Sequence, residues 1–348
     1  MAYTTINKST ANFNTVLYTG NGGTNAITGV GFQPDWVSIK RRSGSAANGG
    51  AFDVVRGVTK LLSTSLSDAE DTRADSLTAF GTDGFTLGAD SGNYVNTNSE
   101  TFVSWNWKAG GTGSANSNGT ISSTVSANTT AGFSIVKYTG SGSGSATVGH
   151  GLGVKPKALI VKSMTNAENW AVWIDTTGNG TADKRLVLNG NAGDYGNYFV
   201  SFQNNTFTLP SHNDGSWSGS GQNYIAYCFA EKQGYNKFDS YTGNGSTDGT
   251  FVYTGFKPTW VLGKRTDSTN NFYLFDTVRD PFNLTTKKLR PDTSAAENDN
   301  SSKAIDILSN GFKIKNSDAE FNASGGTYIY MAFGQTLVGS NNIPSTAR

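Results

Sequence analysis

Two charged pairs recur at one spacing in this chain: Asp53 with Arg56 in "FDVVRG", and Asp276 with Arg279 in "FDTVRD". A carboxylate and a guanidinium set three apart can bind an ionic ligand, or they can neutralise each other and fix a bend. Residues three apart on a strand face opposite sides, so such a pair belongs at a strand end, and a structural ion pair is expected. The related stretch "WAVWIDTTG", Trp170–Gly178, lacks the arginine, which argues against a site needed in every copy.

Few other residues have the types and spacing for chemistry. The chain has two histidines, His150 in "GHGL" and His212 in the polar loop "PSHNDGS", and no His-Cys cluster at zinc spacing. The single cysteine, Cys228, reads as a buried free thiol, since a reactive one would want a nearby base. "DTTGNGTAD", Asp175–Asp183, and "NGNAGDYGN", Asn189–Asn197, are rich in oxygen ligands but depart from the spacing of a calcium-binding loop. No acidic residues recur as the pair that glycoside hydrolysis needs. Trp36, Trp105, Trp107 and Trp260 fall inside strand patterns and read as core, whereas Trp217, in "NDGSWSGSG", reads as a surface-loop tryptophan. The residues taken as candidate surface contacts are Trp217, His212, Arg41 and Arg42; no catalytic residue, metal ligand or cofactor site is expected.

The elements that hold these residues repeat. "YTGNG" stands at Tyr18–Gly22 and again at Tyr241–Gly245, with "YTGSG" at Tyr138–Gly142. Tyr and Thr suit a strand, and the glycines and Asn suit a tight turn. Each turn leads to an apolar strand: Trp36-Val37, Ala158-Leu159-Ile160, then Trp260-Val261. "DGFTL", "NTFTL" and "NGFKI" follow, and each copy ends in "TFVSWNWK", "NYIAYCFA" or "TYIYMAFG". From the first strand to the last, Phe13 to Thr101, Phe133 to Asn223 and Phe238 to Thr327 are 88, 90 and 89 residues apart. Repeats of this length hold a core each.

The expected division is repeat one with an N-terminal arm over 1–109, a linker over 110–132, repeat two over 133–231, repeat three over 232–335 and a tail over 336–348. The Gly/Ser/Asn-rich first half of the linker reads as flexible and sets copy one further off, its second half, Thr120–Val125, has enough β-branched residues for a bridging strand, and the short "EKQGYN" docks copy three on copy two. Strands in copy one are expected near 13–18, 34–41, 51–56, 59–63, 77–80, 84–88 and 101–108, with one helical turn over Ser65–Thr72. Val103, Trp105 and Trp107 alternate onto one face, as do Ile225, Tyr227 and Phe229, and Ile329, Met331 and Phe333. That face lines the core; the opposite face is expected to be covered in part. Two packed antiparallel sheets per repeat, an all-β sandwich, satisfy the pattern.

Composition agrees. Of 348 residues 43 are Gly and 15% are charged, a mix that favours short strands and many turns. The net charge of +1 gives no case for nucleic acid. No apolar run is long enough to span a membrane as a helix, and "MAYTTINKST" has no signal-peptide core.

The phrases "GVGFQPDWVSIKRRSG", "FVSWNWKAGG", "SSTVSANTTAGFSIVKYTG", "YIAYCFAE" and "DGTFVYTGFKPTWVLGKRTDS" resemble a repeated domain of virion proteins from tailed, especially marine, bacteriophages, some relatives of which look like concanavalin-type lectin sandwiches. The resemblance implies three tandem jelly-roll or concanavalin-like β-sandwiches in a non-enzymatic virion protein assembled in the host cytoplasm. A tail-associated fibre or adhesin is the first expectation. A capsid-surface decoration protein, in which three units imitate a trimer, is the second, and a glycan-binding module or sugar-active enzyme the third. The implied partners are other virion proteins, a host cell-surface glycan or protein, or further copies of the chain, with no nucleic acid and no membrane insertion.

Overall fold

A computed structural model describes residues 4–211 and 215–336. It is built almost wholly of antiparallel strands, as sandwiches of an inner and an outer sheet. In unit one, the inner sheet runs in the order Phe13–Thr19, Thr101–Trp107, Trp36–Arg41, Gly50–Asp53, Lys60–Ser63, Asp71–Thr72. The outer sheet is Asn25–Ile27, Gly84–Leu87, Leu77–Gly81. Unit two places Phe133–Thr139, Asn223–Phe229, Ala158–Ser163 and Ala171–Ile174 in the same succession, and unit three does so with Asn236–Thr242, Thr327–Thr336, Phe256–Arg265 and Tyr273–Asp276. Ser65–Thr72, expected to form a helical turn, is extended and irregular, ending in the two-residue strand Asp71–Thr72. Its Ser and Asp residues hydrogen-bond too readily to nearby backbone to favour a helix.

The repeated tyrosine turn clasps each sandwich. Tyr18, Tyr138 and Tyr241 stack on Phe102, Tyr224 and Tyr328, with ring centroids 5.2, 5.3 and 4.8 Å apart. Their hydroxyls donate to the carbonyls of Val95, Trp217 and Phe321. The glycine after each Tyr-Thr lies against the loop that precedes the last strand. A Cβ on Gly20 would fall 2.2 Å from the Thr97 carbonyl oxygen, and one on Gly243 would fall 2.3 Å from that of Ala323. The turn is spelled three times because each unit needs one backbone crossing too close for any side chain.

The inner sheets are buried on both faces, which corrects the expectation of partial cover. Phe102, Tyr224 and Tyr328 point into the three separate sandwich cores. The alternate residues, Trp105 and Trp107, Tyr227 and Phe229, Met331 and Phe333, enter one further core shared by all three units. At its centre Trp36 stacks on Trp107 and on Tyr227, 4.3 Å from each, and Phe333 packs against Trp107, Phe229 and Trp260. The three sandwiches thus meet through their inner faces, like segments around a common axis.

Unit one is therefore not set apart. The segment 110–132, expected to be a linker, forms the strands Ser114–Asn116 and Ser123–Asn128, and the second pairs along its whole length with Phe133–Thr139. β-branched residues in its second half and the Ile121–Val148 bridge hold it on unit two. The N-terminal arm is also structured from Thr4 onward. Ile6 lies in the shared core and Ser9–Ala11 forms a 3₁₀ turn. Residues 337–348 of the expected tail lie outside the described residues.

Candidate functional site

Two buried Asp–Arg pairs and three buried lysines lie where the units meet. Asp53 ends a strand; its Oδ1 accepts the backbone N–H groups of Val55 and Arg56, and its Oδ2 accepts Arg56 Nε at 2.5 Å. Arg56 goes on to the carbonyls of Lys60 and Ala51 and to Glu70. Asp276, Arg279 and Glu297 repeat this arrangement in unit three. Both Asp–Arg side-chain pairs are wholly buried. Burial opposes the charge on Arg56, but the attraction of Asp53 outweighs it and the pKa is raised. Four of the five N–H donors of each guanidinium are thus taken up inside the protein, and the side chain is closed to solvent.

Each aspartate also receives a donor from the next unit. Tyr227 Oη of unit two donates to Asp53 Oδ2 at 2.8 Å, and Trp105 Nε1 of unit one donates to Asp276 Oδ2 at 3.1 Å. At the third junction the residue in register with Trp105 and Tyr227 is Met331. Register puts Ile174 where Asp53 and Asp276 stand.

Three lysines complete the ring. Lys40, Lys162 and Lys264 occupy one register position, opposite Val103, Ile225 and Ile329. Lys40 Nζ donates to Thr293 O of unit three at 2.6 Å, Lys162 Nζ to Ser67 O of unit one at 3.0 Å, and Lys264 Nζ to Asn191 O of unit two at 3.2 Å. The backbone repeats the same cycle. Glu297 N bonds Arg42 O, Glu70 N bonds Met164 O and Asp194 N bonds Thr266 O. Burial depresses all three ammonium pKa values to about 8. Asp292, between Lys40 and Lys264 electrostatically, is pushed up to about 7, again by burial. The sequence carries a signal for these lysines that was passed over: each third strand closes on one, in "WVSIKRR", "ALIVKSM" and "WVLGKRT".

The candidate surface contacts fare differently. Trp217 is buried in unit two against Trp173 and Tyr198, so its assignment to a surface loop is corrected. Polar neighbours in sequence masked an apolar anchor. Arg42 makes a two-pronged ion pair with Glu297 across the junction of units one and three. Arg41 is held by Ser45 and Thr97 and lines a polar cleft of about 560 Å³ with Asn48, Asn93, Tyr94 and Glu100. His212 lies outside the described residues. His150 is buried, with Nε2 at 3.1 Å from Gln203 O and Nδ1 accepting Leu152 N; burial lowers its pKa. The Cys228 thiol is buried and its pKa raised, which leaves it a poor nucleophile. Asp175 is spent on the N–H groups of Thr177, Gly178 and Gly180 within its own loop. No group of three or more potential metal-ligating His, Cys, Asp or Glu residues occurs among the described residues.

No characterised protein and no solved structure matches the chain. Residues 8–336, all three units together, match a domain of unknown function (DUF7483), and the chain belongs to that family.

Proposed function

We propose that the protein is a non-enzymatic virion structural protein of a tailed bacteriophage, acting by contact with other virion proteins or with the host surface. The observation that carries this reading is the closed ring: one chain builds three like units and joins them in a cycle through a buried lysine at every joint and buried Asp–Arg pairs at two of them. Such a body presents a threefold-like surface from a single polypeptide. That favours a capsid-surface decoration protein seated where its partner has threefold or near-threefold symmetry. The resemblance of its repeats to those of phage virion proteins supports the same class.

One observation favours the tail-associated fibre or adhesin instead. The cleft beside Arg41 joins a half-buried tyrosine to convergent polar groups from units one and three, a lining that suits a sugar. Imaging of intact particles separates the two. Decoration predicts one copy of the ring on each equivalent capsid position. An adhesin predicts density at the tail, and binding of host polysaccharide that Tyr94→Ala abolishes. Absence of the protein from purified particles would overturn both.

A further inference from the structure

At each junction one acid stands at the same place in the fold. Leu61 pairs with Asp71, Lys288 with Asn298 and Arg185 with Tyr195, and the acid directly precedes the second residue of each pair: Glu70, Glu297 and Asp194. At two junctions the chain brings that acid a guanidinium. Arg56 reaches Glu70 at 3.3 Å, and Arg42 and Arg279 both reach Glu297 at 2.9 Å. Among the described residues no guanidinium reaches Asp194; its partner is Lys184 Nζ at 3.0 Å, on a side chain 59% exposed. Unit two has no arginine in the turn after Ile174, and Thr266 stands in the place of Arg42. A cleft of about 330 Å³ opens there, lined by Ile174, Thr177, Lys184 and Asp194 of unit two and by Ser240 and Thr266 of unit three.

We propose that this cleft receives an arginine side chain from a partner protein. Its walls are counterparts of the groups that enclose Arg56. Register puts Ile174 at the place of Asp53 and Lys184 at that of Lys60, whose carbonyl accepts Arg56 Nη1 at 2.8 Å. On the unit-three side a small residue leaves a way in: Ser240 stands where the other units have Leu17 and Lys137. The charge fits a cation, since Asp183 and Asp194 line the cleft against Lys184 alone. A guanidinium suits it better than an ammonium, because a flat fork can serve a carboxylate and a carbonyl together. The exposed Lys184 can swing aside at little cost. A protein is the source that fits, because the cleft continues the contact between two units and Tyr195, next to Asp194, is 41% exposed; tyrosine and arginine are both enriched where proteins meet. The inference stands apart from the virion reading and survives its failure.

Nuclear magnetic resonance of the full chain, titrated with the peptide acetyl-Gly-Arg-Gly-amide, tests it. The amides of Thr177, Lys184 and Asp194 should shift and saturate. The same peptide with lysine for arginine should bind about tenfold more weakly. Asp194→Asn, which keeps the backbone bond to Thr266, should weaken the arginine peptide about tenfold as well. Thr266→Arg copies Arg42 opposite Glu297 and should abolish binding by giving Asp194 the chain's own guanidinium. Equal binding of the two peptides, or an Asp194→Asn chain that binds as tightly as the unchanged one, would overturn the proposal. So would a folded Thr266→Arg chain that still binds, since the peptide then sits elsewhere. Saturation of the same amides by calcium chloride in place of the peptide would mean a metal site, and tighter binding of free arginine than of the peptide a small-molecule site; either result counts against a partner's arginine.

Discussion

Two of the three junctions close on a buried acid, and the third does without one. Where unit two meets unit one, Tyr227 donates to Asp53; where unit one meets unit three, Trp105 donates to Asp276. Where unit three meets unit two, the equivalent positions are Met331 and Ile174, and Thr177 stands in the place of Arg56. Donor, acceptor and countercharge have all changed together. A carboxylate alone opposite Met331 would be a buried charge without a partner, which costs several kcal/mol, whereas an apolar set of similar shape is close to neutral. The comparison teaches that the Asp–Arg–Glu network is a closing device with an apolar equivalent, and that the lysine and backbone bonds, present at all three junctions, form the common joint.

The largest test of this contrast is to break one polar junction halfway. Asp53→Ala leaves the buried Arg56 a single carboxylate, the more distant Glu70 at 3.3 Å, and Tyr227 without its acceptor, and should cost about 3–5 kcal/mol in urea unfolding. Copying the third junction, with Asp53→Ile, Arg56→Thr and Tyr227→Met together, should cost less than half as much. If the triple variant is the less stable of the two, the junctions are not equivalent. Because the aromatic core is shared, each variant should still unfold in a single transition.

A smaller effect comes from removing only the donor. Trp105→Phe keeps a ring in the shared core but takes the N–H from Asp276, at an expected cost of about 1–3 kcal/mol. Trp260→Phe is the control. Its indole N–H is buried with no acceptor, as are those of Trp36 and Trp107, so losing it should be offset in part. Equal costs for the two variants would mean that ring volume, not the bond to Asp276, decides.

How far all this was legible follows from the same contrast. The repeat, the strand order and the alternating faces stand in the sequence because each is local: period two, a turn glycine, a fixed spacing. Alternation placed Trp105, Tyr227 and Met331 correctly on one apolar face, but it cannot say what covers that face. A single sandwich core and a core shared by three units write the same pattern. The first half of 110–132 misled because Gly, Ser and Asn suit a linker and an edge strand alike, whereas the β-branched second half read as the strand it forms. Trp217 misled because burial is set by Trp173 and Tyr198, distant in sequence. The lysines were within reach, since one recurs at each third strand; a lysine in an apolar strand had to be read as a buried donor.

Those lysines give the joint a pH signature. Lys40, Lys162 and Lys264 hold a pKa of about 8 in the folded chain, while the unfolded chain keeps the ordinary value near 10.4. Between these values the unfolded state binds more protons, so their contribution to stability rises as pH increases from about 8 toward 10. The buried tyrosines oppose this above about pH 10. Burial raises Tyr18, Tyr138 and Tyr227, so the unfolded state loses its protons first and stability falls. Urea midpoints should therefore climb from pH 7.5 to about 9.5 and then drop. Lys40→Met should flatten about one third of the climb. A climb unchanged in that variant would move its origin away from the junctions.

The smallest expected effect sharpens the comparison most at the rim. Arg42 and Glu297 pair only where unit one meets unit three; the other two junctions have Met164 with Glu70 and Thr266 with Asp194 at the same backbone bond. The Arg42 side chain is 17% exposed and its partner 11%, so water reaches the pair only from its outer side and screens it in part. Arg42→Ala also leaves Glu297 its bond to Arg279 at 2.9 Å and its N–H on the carbonyl of residue 42. The loss should be about 0.5–1 kcal/mol at low salt and less in ~1 M KCl. Burial works against the charge on Glu297, but Arg42 and Arg279 prevail and hold its pKa below the ordinary carboxylate value. Stability from that carboxylate is present at neutral pH and lost on acidification, so in Arg42→Ala, where the folded pKa of Glu297 lies closer to the unfolded one, the acid-side loss should be smaller. Glu297→Ala should be worse than Arg42→Ala, because it strips the buried Arg279 as well. If the two cost the same, the rim pair and the buried network act as one unit, and the separation of inner joint from outer clasp fails at this junction.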